Sequence, residues 1–185
     1  MKPWKLLSSE YLVDAPWLKV AKEKCELPNG KIIDDFYTLW QPDWVLILAR
    51  TTDKKWVMTE QYRHGTGKIA LEFPAGIIEK GESPEKAAIR ELKEECGYGM
   101  VCANVSANIH YLGTFPVNPD RHRGRFHIVF IDNVFQNSKT HFDETEEIES
   151  SEMSDNELQK KIMDGDFNHP LQIAGYFKWK LDSQF

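Results

Sequence analysis

The stretch Gly76-Ile-Ile-Glu79-Lys-Gly81-Glu82-Ser83-Pro84-Glu85-Lys86-Ala-Ala-Ile89-Arg90-Glu91-Leu92-Lys93-Glu94-Glu95-Cys96-Gly97-Tyr98 decides how the rest of the chain is read. Ser83 is an N-cap, Pro84 suits the first helical position, Glu85 complements the helix dipole, and Gly97 supplies the left-handed stop. The spacing predicts a helix between them. At about 100° per residue, Glu91, Glu94 and Glu95 share an arc of roughly 100°, Ile89, Leu92 and Cys96 form a neighbouring apolar stripe, and Lys86 and Lys93 lie roughly opposite Glu91. Three carboxylates on one face repel one another and require positive charge nearby. Hard oxygen donors without His or Cys select Mg²⁺, with Mn²⁺ possible, and such ions work with carboxylates and phosphate oxygens together. A Glu-rich helix is more often a solvated surface. Here the lysines already mark the solvent side, and the Gly76–Gly81 loop brings Glu82 to the helix start within reach of Arg90, so the acidic arc reads as a separate, functional face.

Working upstream, Lys68–Phe73 reads as a short strand, and Trp44–Ala49 and Trp56–Arg63 read as two strands around the turn Thr52-Asp-Lys-Lys55. Residues 17–27 and 31–40 form an expected hairpin about Leu27-Pro-Asn-Gly30, where Asn-Gly favours the reversal. Pro3, Pro16 and Pro42 set this segment apart as an N-terminal arm. Downstream, Ile109–Phe115 and Phe126–Phe135 read as strands. Ser154-Asp-Asn-Glu157 has capping-box spacing for a helix running through Leu158, Ile162 and Met163 to Gly165. Residues 170–181 read as a closing amphipathic helix facing inward through Leu171, Ala174, Phe177 and Leu181.

The chain has 185 residues, 41% of them hydrophobic and 12% aromatic, enough for one full core plus an arm. Its net charge of −6 disfavours nucleic acid, which needs clustered Lys and Arg. Cys25, Cys96 and Cys102 lack metal-ligand spacing and fit reduced thiols, pointing to a cytoplasmic protein, and neither a membrane span nor a signal-peptide core is evident. The histidines show no paired ligand spacing and read as structural or surface residues.

The run from Gly76 to Tyr98 resembles the Nudix hydrolase signature: Gly, five residues, Glu, seven residues, then Arg-Glu-hydrophobic-any-Glu-Glu-any-Gly-hydrophobic. At residue frequencies of about 6–7%, seven fixed identities coincide at roughly a few in a billion start positions, so chance does not account for the match. The resemblance implies an α/β/α sandwich with a mixed central sheet over residues 43–185, preceded by an antiparallel β arm at 1–42. It implies that Glu91, Glu94, Glu95 and the Ala75 carbonyl are metal ligands, and that Gly76, Glu82, Arg90 and Gly97 brace the loop against the helix. The activity implied is hydrolysis of a pyrophosphate by water.

Gln61-Tyr-Arg63 and Glu72-Phe-Pro-Ala-Gly76 are similar to the ADP-ribose and nucleoside-diphosphate-sugar branch, which makes Arg63 and Glu72 substrate-binding candidates. By the same similarity Glu144 is the general base, acting with Glu95, and Glu146 an auxiliary metal ligand. The arm implies a homodimer that lends aromatics to the partner's base pocket, with Trp4, Trp17, Phe36 and Trp40 as candidates. The loop Asp120-Arg-His-Arg-Gly-Arg125 is more basic than that branch would suggest, and reads either as a contact for a more anionic substrate or as a solvated loop. The alternatives are a different Nudix hydrolase, for example of dinucleoside polyphosphates, and a non-catalytic nucleotide sensor.

Overall fold

The computed structural model describes residues 1–100, 108–141 and 147–182. The elements run β1 (Lys5–Ala15), β2 (Leu18–Glu26), β3 (Ile32–Trp40), β4 (Trp44–Thr51), β5 (Trp56–Arg63), β6 (Lys68–Glu72), β7 (Ala75–Ile77), α1 (Pro84–Cys96), β8 (Tyr98–Gly99), β9 (Ile109–Pro116), β10 (Arg125–Gln136), β11 (Ile148–Met153), α2 (Asp155–Asp164) and α3 (Pro170–Asp182). The chain divides into two compact units, Met1–Asp43 with Phe115–Phe126, and Trp44–Thr114 with His127–Phe185. No described helix is long and apolar enough to cross a membrane.

The first unit is an antiparallel sheet in the order β1-β2-β3. The expected hairpin is present: Gly30 takes φ 80°, and its amide donates to the Leu27 carbonyl at 2.9 Å. The structure adds β1, paired with β2 from Lys5↔Glu26 to Ala15↔Leu18, and the tip of the β9–β10 hairpin. There Leu39 bonds through its own amide to the Arg121 carbonyl and through its carbonyl to the Arg123 amide, both at 2.8 Å. Arg121, Arg123 and Arg125 of the basic loop are exposed, as the solvated reading expects, and two of these cations also make contacts inside this unit. Arg123 pairs with the buried Glu23 at 2.6 Å, and the Arg121 guanidinium lies over the Phe36 ring at 4.6 Å.

The second unit carries the sheet β11-β5-β4-β10-β8, with β6 on β5, β7 on β4 and β9 on β10. β4 and β5 are antiparallel, whereas β4 and β10 run side by side at a constant separation of 82 residues, which only parallel strands allow. Alternation sends Val45, Ile47 and Ala49 of β4 to one face, where they meet Ala87, Ala88, Leu92 and Cys96 of α1. Leu46 turns to the other face, against α3: a Cβ on Gly175 would overlap Leu46 Cδ2, so only glycine lets the helix come this close. Trp56 anchors that layer with edge contacts to Phe73, Tyr176 and Trp179. Asp155, at the start of α2, accepts from both Trp56 Nε1 (3.1 Å) and Tyr176 Oη (2.6 Å). The result is the expected sandwich.

α2 has the expected capping box on Ser154 and Glu157. α3 spans nearly the expected residues but in a different phase. Its buried positions are Gln172, Gly175, Tyr176 and Trp179, while Phe177 and Leu181 face outward. A polar anchor overrides the apolar stripe: Gln172 Oε1 accepts from the Phe73 amide at 2.6 Å, which fixes the rotation of the helix.

Candidate active site

α1 begins on Ser83, whose hydroxyl accepts from the Lys86 amide, and ends on Gly97 at φ 72°, whose amide donates to Lys93 at 3.0 Å. These caps set the rotation of the helix, and Leu92 and Cys96 hold it by packing into the core. Glu95, beside that stripe, is buried, whereas the Glu94 side chain is about half exposed. The acidic arc therefore grades from the core edge to solvent.

Arg90 organises the arc. Its Nε and Nη2 grip the Glu82 carboxylate at 3.1 and 2.9 Å, its Nη1 donates to Glu91 (2.8 Å) and Glu94 (3.1 Å), and Nη2 also donates to the Ile77 carbonyl at 3.0 Å. One guanidinium thus ties the Gly76–Glu82 loop to the helix and supplies positive charge beside the crowded glutamates. Hydrogen bonds to the carboxylates push the Arg90 pKa further up, and the Arg90 bond holds Glu82 below the usual carboxylate range.

That depression stabilises the fold above the ordinary glutamate pKa, and the stabilisation is lost as pH falls through the folded value. The melting temperature of Arg90→Gln should accordingly lie below that of the wild type at pH 7, with the gap closing as the medium is acidified through that window. A gap independent of pH would mean that Glu82 titrates without help from Arg90.

Gly76 is the second fixed point. It pairs with Val45 across β4 and β7, and a Cβ there would overlap Cγ, Cδ and Oε1 of Glu91, so the backbone of Ala75–Gly76 lies directly against that side chain. The sequence reading made this segment part of a loop; β7 places it on the sheet. Among the described residues no three His, Cys, Asp or Glu side chains converge as a finished ligand cage. Glu91 and Glu94 are turned to Arg90. The donor set still suits a hard divalent ion: carboxylate oxygens on one helix face, Glu91 among them lying against the half-buried Gly76 backbone, with neither imidazole nor thiolate in the set.

Arg63 and Glu72 meet across β5 and β6, Arg63 Nε donating to the buried Glu72 carboxylate at 3.0 Å. They line a cavity of about 330 Å³ together with Lys68, Asp166, Asn168 and His169. Burial pushes the His169 pKa down, and its Nδ1 accepts from the Gln172 amide at 3.4 Å. The sequence reading missed Asp166, Asn168 and His169, although Asn-His-Pro before a helix is a legible entry signal. Glu144 and Glu146 lie outside the described residues, as does Cys102. Of the aromatics singled out in the arm, Trp4 packs edge-on to Phe36 at 5.5 Å, Trp40 lies under Lys19, and Trp17 is exposed.

Comparison with known proteins shows what the chain is similar to. The NUDIX domain model matches residues 40–170, and the nucleoside diphosphate sugar hydrolase N-terminal domain matches residues 4–39. The chain is 39% identical over 94 residues to the methanol dehydrogenase activator of Bacillus methanolicus, covering 51% of this chain and 50% of that protein. It is 38% identical over 94 residues to the ADP-ribose pyrophosphatase of Bacillus subtilis strain 168, with the same coverage of 51% and 50%. The chain thus spans about half the length of these curated relatives. The crystal structure of an ADP compounds hydrolase shares the fold, with a TM-score of 0.83 at 23% identity over 100% of this chain and 98% of that one. With the signature on a capped helix, its arginine brace in place and the domain model matched over residues 40–170, the chain belongs to the Nudix family.

Proposed function

We propose that this protein is a Mg²⁺-dependent pyrophosphohydrolase that splits ADP-ribose or a related nucleoside diphosphate sugar into a nucleoside monophosphate and a sugar phosphate. The observation that carries the reading is the carboxylate arc of α1, braced by Arg90 and seated against the backbone at Gly76. The ADP-ribose pyrophosphatase among its relatives and the sugar-hydrolase N-terminal domain support the substrate class.

In this reading Glu91, Glu94, Glu95 and the Ala75 carbonyl would hold the metal, and Glu146 would add to them. Bound Mg²⁺, or Mn²⁺ in its place, supplies the charge that lowers the pKa of water and offsets the negative oxygens of the diphosphate. Glu94, half-exposed beside Arg90, would contribute a carboxylate oxygen to such an ion, and Arg90 keeps Glu91 oriented through Nη1. Glu144 takes the proton of the attacking water, with Glu95 sharing the catalytic role. Arg63, aligned by Glu72, donates to the substrate where it enters the cavity.

Residues 1–42 serve as the dimerisation arm and 43–185 as the catalytic domain. The arm's assignment is supported by Leu6, Leu7, Tyr11 and Leu12 of β1, which are exposed on both sides of the strand, a costly surface for a lone chain. Cys25 and Cys96, both free and buried, suit a cytoplasmic setting.

The test is a Mg²⁺-dependent hydrolysis screen over ADP-ribose, ADP-glucose, GDP-mannose, diadenosine polyphosphates and NADH, with products resolved by chromatography. Conversion of ADP-ribose to AMP and ribose 5-phosphate is the expected result. A panel without turnover would overturn the proposal.

A further inference from the structure

On the face of the sheet that α1 covers, the core residues end at a polar row. The constant separation of 82 residues between β4 and β10, seen in the Arg50–Asp132 pair, sets His127 beside Val45 and on the same face. Val45 in turn pairs with Gly76, where Glu91 sits. Strands lie about 4.8 Å apart, so His127 stands roughly 10 Å from Gly76 along a single row. Further along β10 the same face carries Val129 and Ile131, which are buried under α1, and on β9 Ile109 packs against that cluster. One step nearer the row, the residues become His127 and Tyr111. Tyr111 Oη is 2.9 Å from His127 Nδ1, and the rings lie 6.0 Å apart.

Such a pair at a core margin, with Tyr111 exposed, adds little stability. It does fix an imidazole and a phenol on the floor beside the carboxylate arc. The phenol has both donor and acceptor capacity and spends one of them on His127. The pair stands two strands from Glu91 on the same face, so a diphosphate held at the carboxylate arc would direct the group it carries toward it.

We infer that His127 and Tyr111 form a specificity-determining pair that hydrogen-bonds the pentose hydroxyls of the substrate. The inference rests on the pyrophosphohydrolase reading above for the identity of that substrate. The pentose is either that of the nucleoside or that of the sugar phosphate, and the two products separate these sources.

The experiment is calorimetric titration of AMP and of ribose 5-phosphate, each with Mg²⁺, into the full chain, Tyr111→Phe and His127→Ala, with ADP-ribose kinetics run alongside. The expected result is a roughly 3- to 10-fold weaker Kd for one of the two products, the worth of one hydrogen bond. The KM for ADP-ribose should rise in step at nearly constant kcat, and the double variant should fall short of the product of the two effects. The inference is overturned if both Kd values are unchanged, if the wild type binds neither product, or if Tyr111→Phe lowers the melting temperature and kcat while leaving KM alone. A wild type that binds a product through this pair yet turns over no substrate would sink the catalytic reading and leave the inference standing.

Discussion

Glu95→Gln is expected to cut Mg²⁺-dependent turnover by on the order of 10²–10³-fold, about 3–4 kcal/mol of transition-state stabilisation. The melting temperature, in contrast, should hold or rise. Glu95 is a carboxylate at the edge of the apolar stripe of α1, only 8% exposed. A charge in that position is disfavoured by desolvation, and its neutral isostere removes the penalty without changing volume. The proposed mechanism uses the charge that burial disfavours, so activity and stability should move in opposite directions. Glu149→Gln on β11, a surface glutamate outside the site, serves as the control and should change neither. Parallel loss of activity and melting temperature in Glu95→Gln would show that Glu95 is a packing residue and would remove it from the proposed ligand set.

Gly76→Ala is the second large effect, and it acts by displacement instead of charge. Nothing about the backbone forbids alanine there, since Gly76 is not among the residues with positive φ. The obstacle is Glu91, whose side chain occupies the space the methyl group would take. Either Glu91 swings away, breaking its 2.8 Å bond to Arg90, or β7 retreats from Val45 and carries the Ala75 carbonyl with it. Both outcomes move a proposed ligand by an ångström or more, and misplacement on that scale costs about 10²-fold in rate. The fold should lose about 1–3 kcal/mol, as for other overpacked sites. Steady-state kinetics with a thermal melt would check both, and wild-type kcat in this variant would mean that the Gly76–Glu91 contact is irrelevant to the chemistry.

The parts of this structure legible in the sequence are those where local and long-range forces agree. α1 is announced by its own caps, and the mixture of Lys, Glu and small apolar residues fixes which side packs, so the carboxylate arc could be read before any coordinates. β4, β5 and β10 were equally readable, because buried strands are runs of Val, Ile, Leu and aromatics. β1 and β11 were not. Lys-Leu-Leu-Ser-Ser-Glu lacks alternation, and Ile-Glu-Ser-Ser-Glu-Met has little strand propensity. β11 is a strand because β5 offers an edge with which it registers from Ile148↔Gln61 to Met153↔Trp56, and Glu152 there accepts from the Tyr98 hydroxyl at 2.8 Å. The phase of α3 was misread for a related reason, since a glutamine bond and a glycine contact with distant segments decide it. At the site, the helix motif revealed which residues gather but not that Arg90 would hold four residues, Ile77, Glu82, Glu91 and Glu94, at once. His127 was passed over because its neighbourhood on β4 and β7 is set by the parallel strand register, which no local pattern reports.

The hairpin tip at Phe115–Phe126, grouped with the N-terminal sheet, has a consequence for how this architecture can be taken apart or passed on. Cutting the chain before Trp44 would not release a ready-made catalytic domain. The backbone of Arg121 and Arg123 would lose Leu39, Arg123 would lose Glu23 and Arg121 would lose the face of Phe36. The arm and the tip are one module written in two places in the gene. A recombination that exchanges the first 43 residues for those of a relative succeeds only if the Asp120–Arg125 loop travels with them.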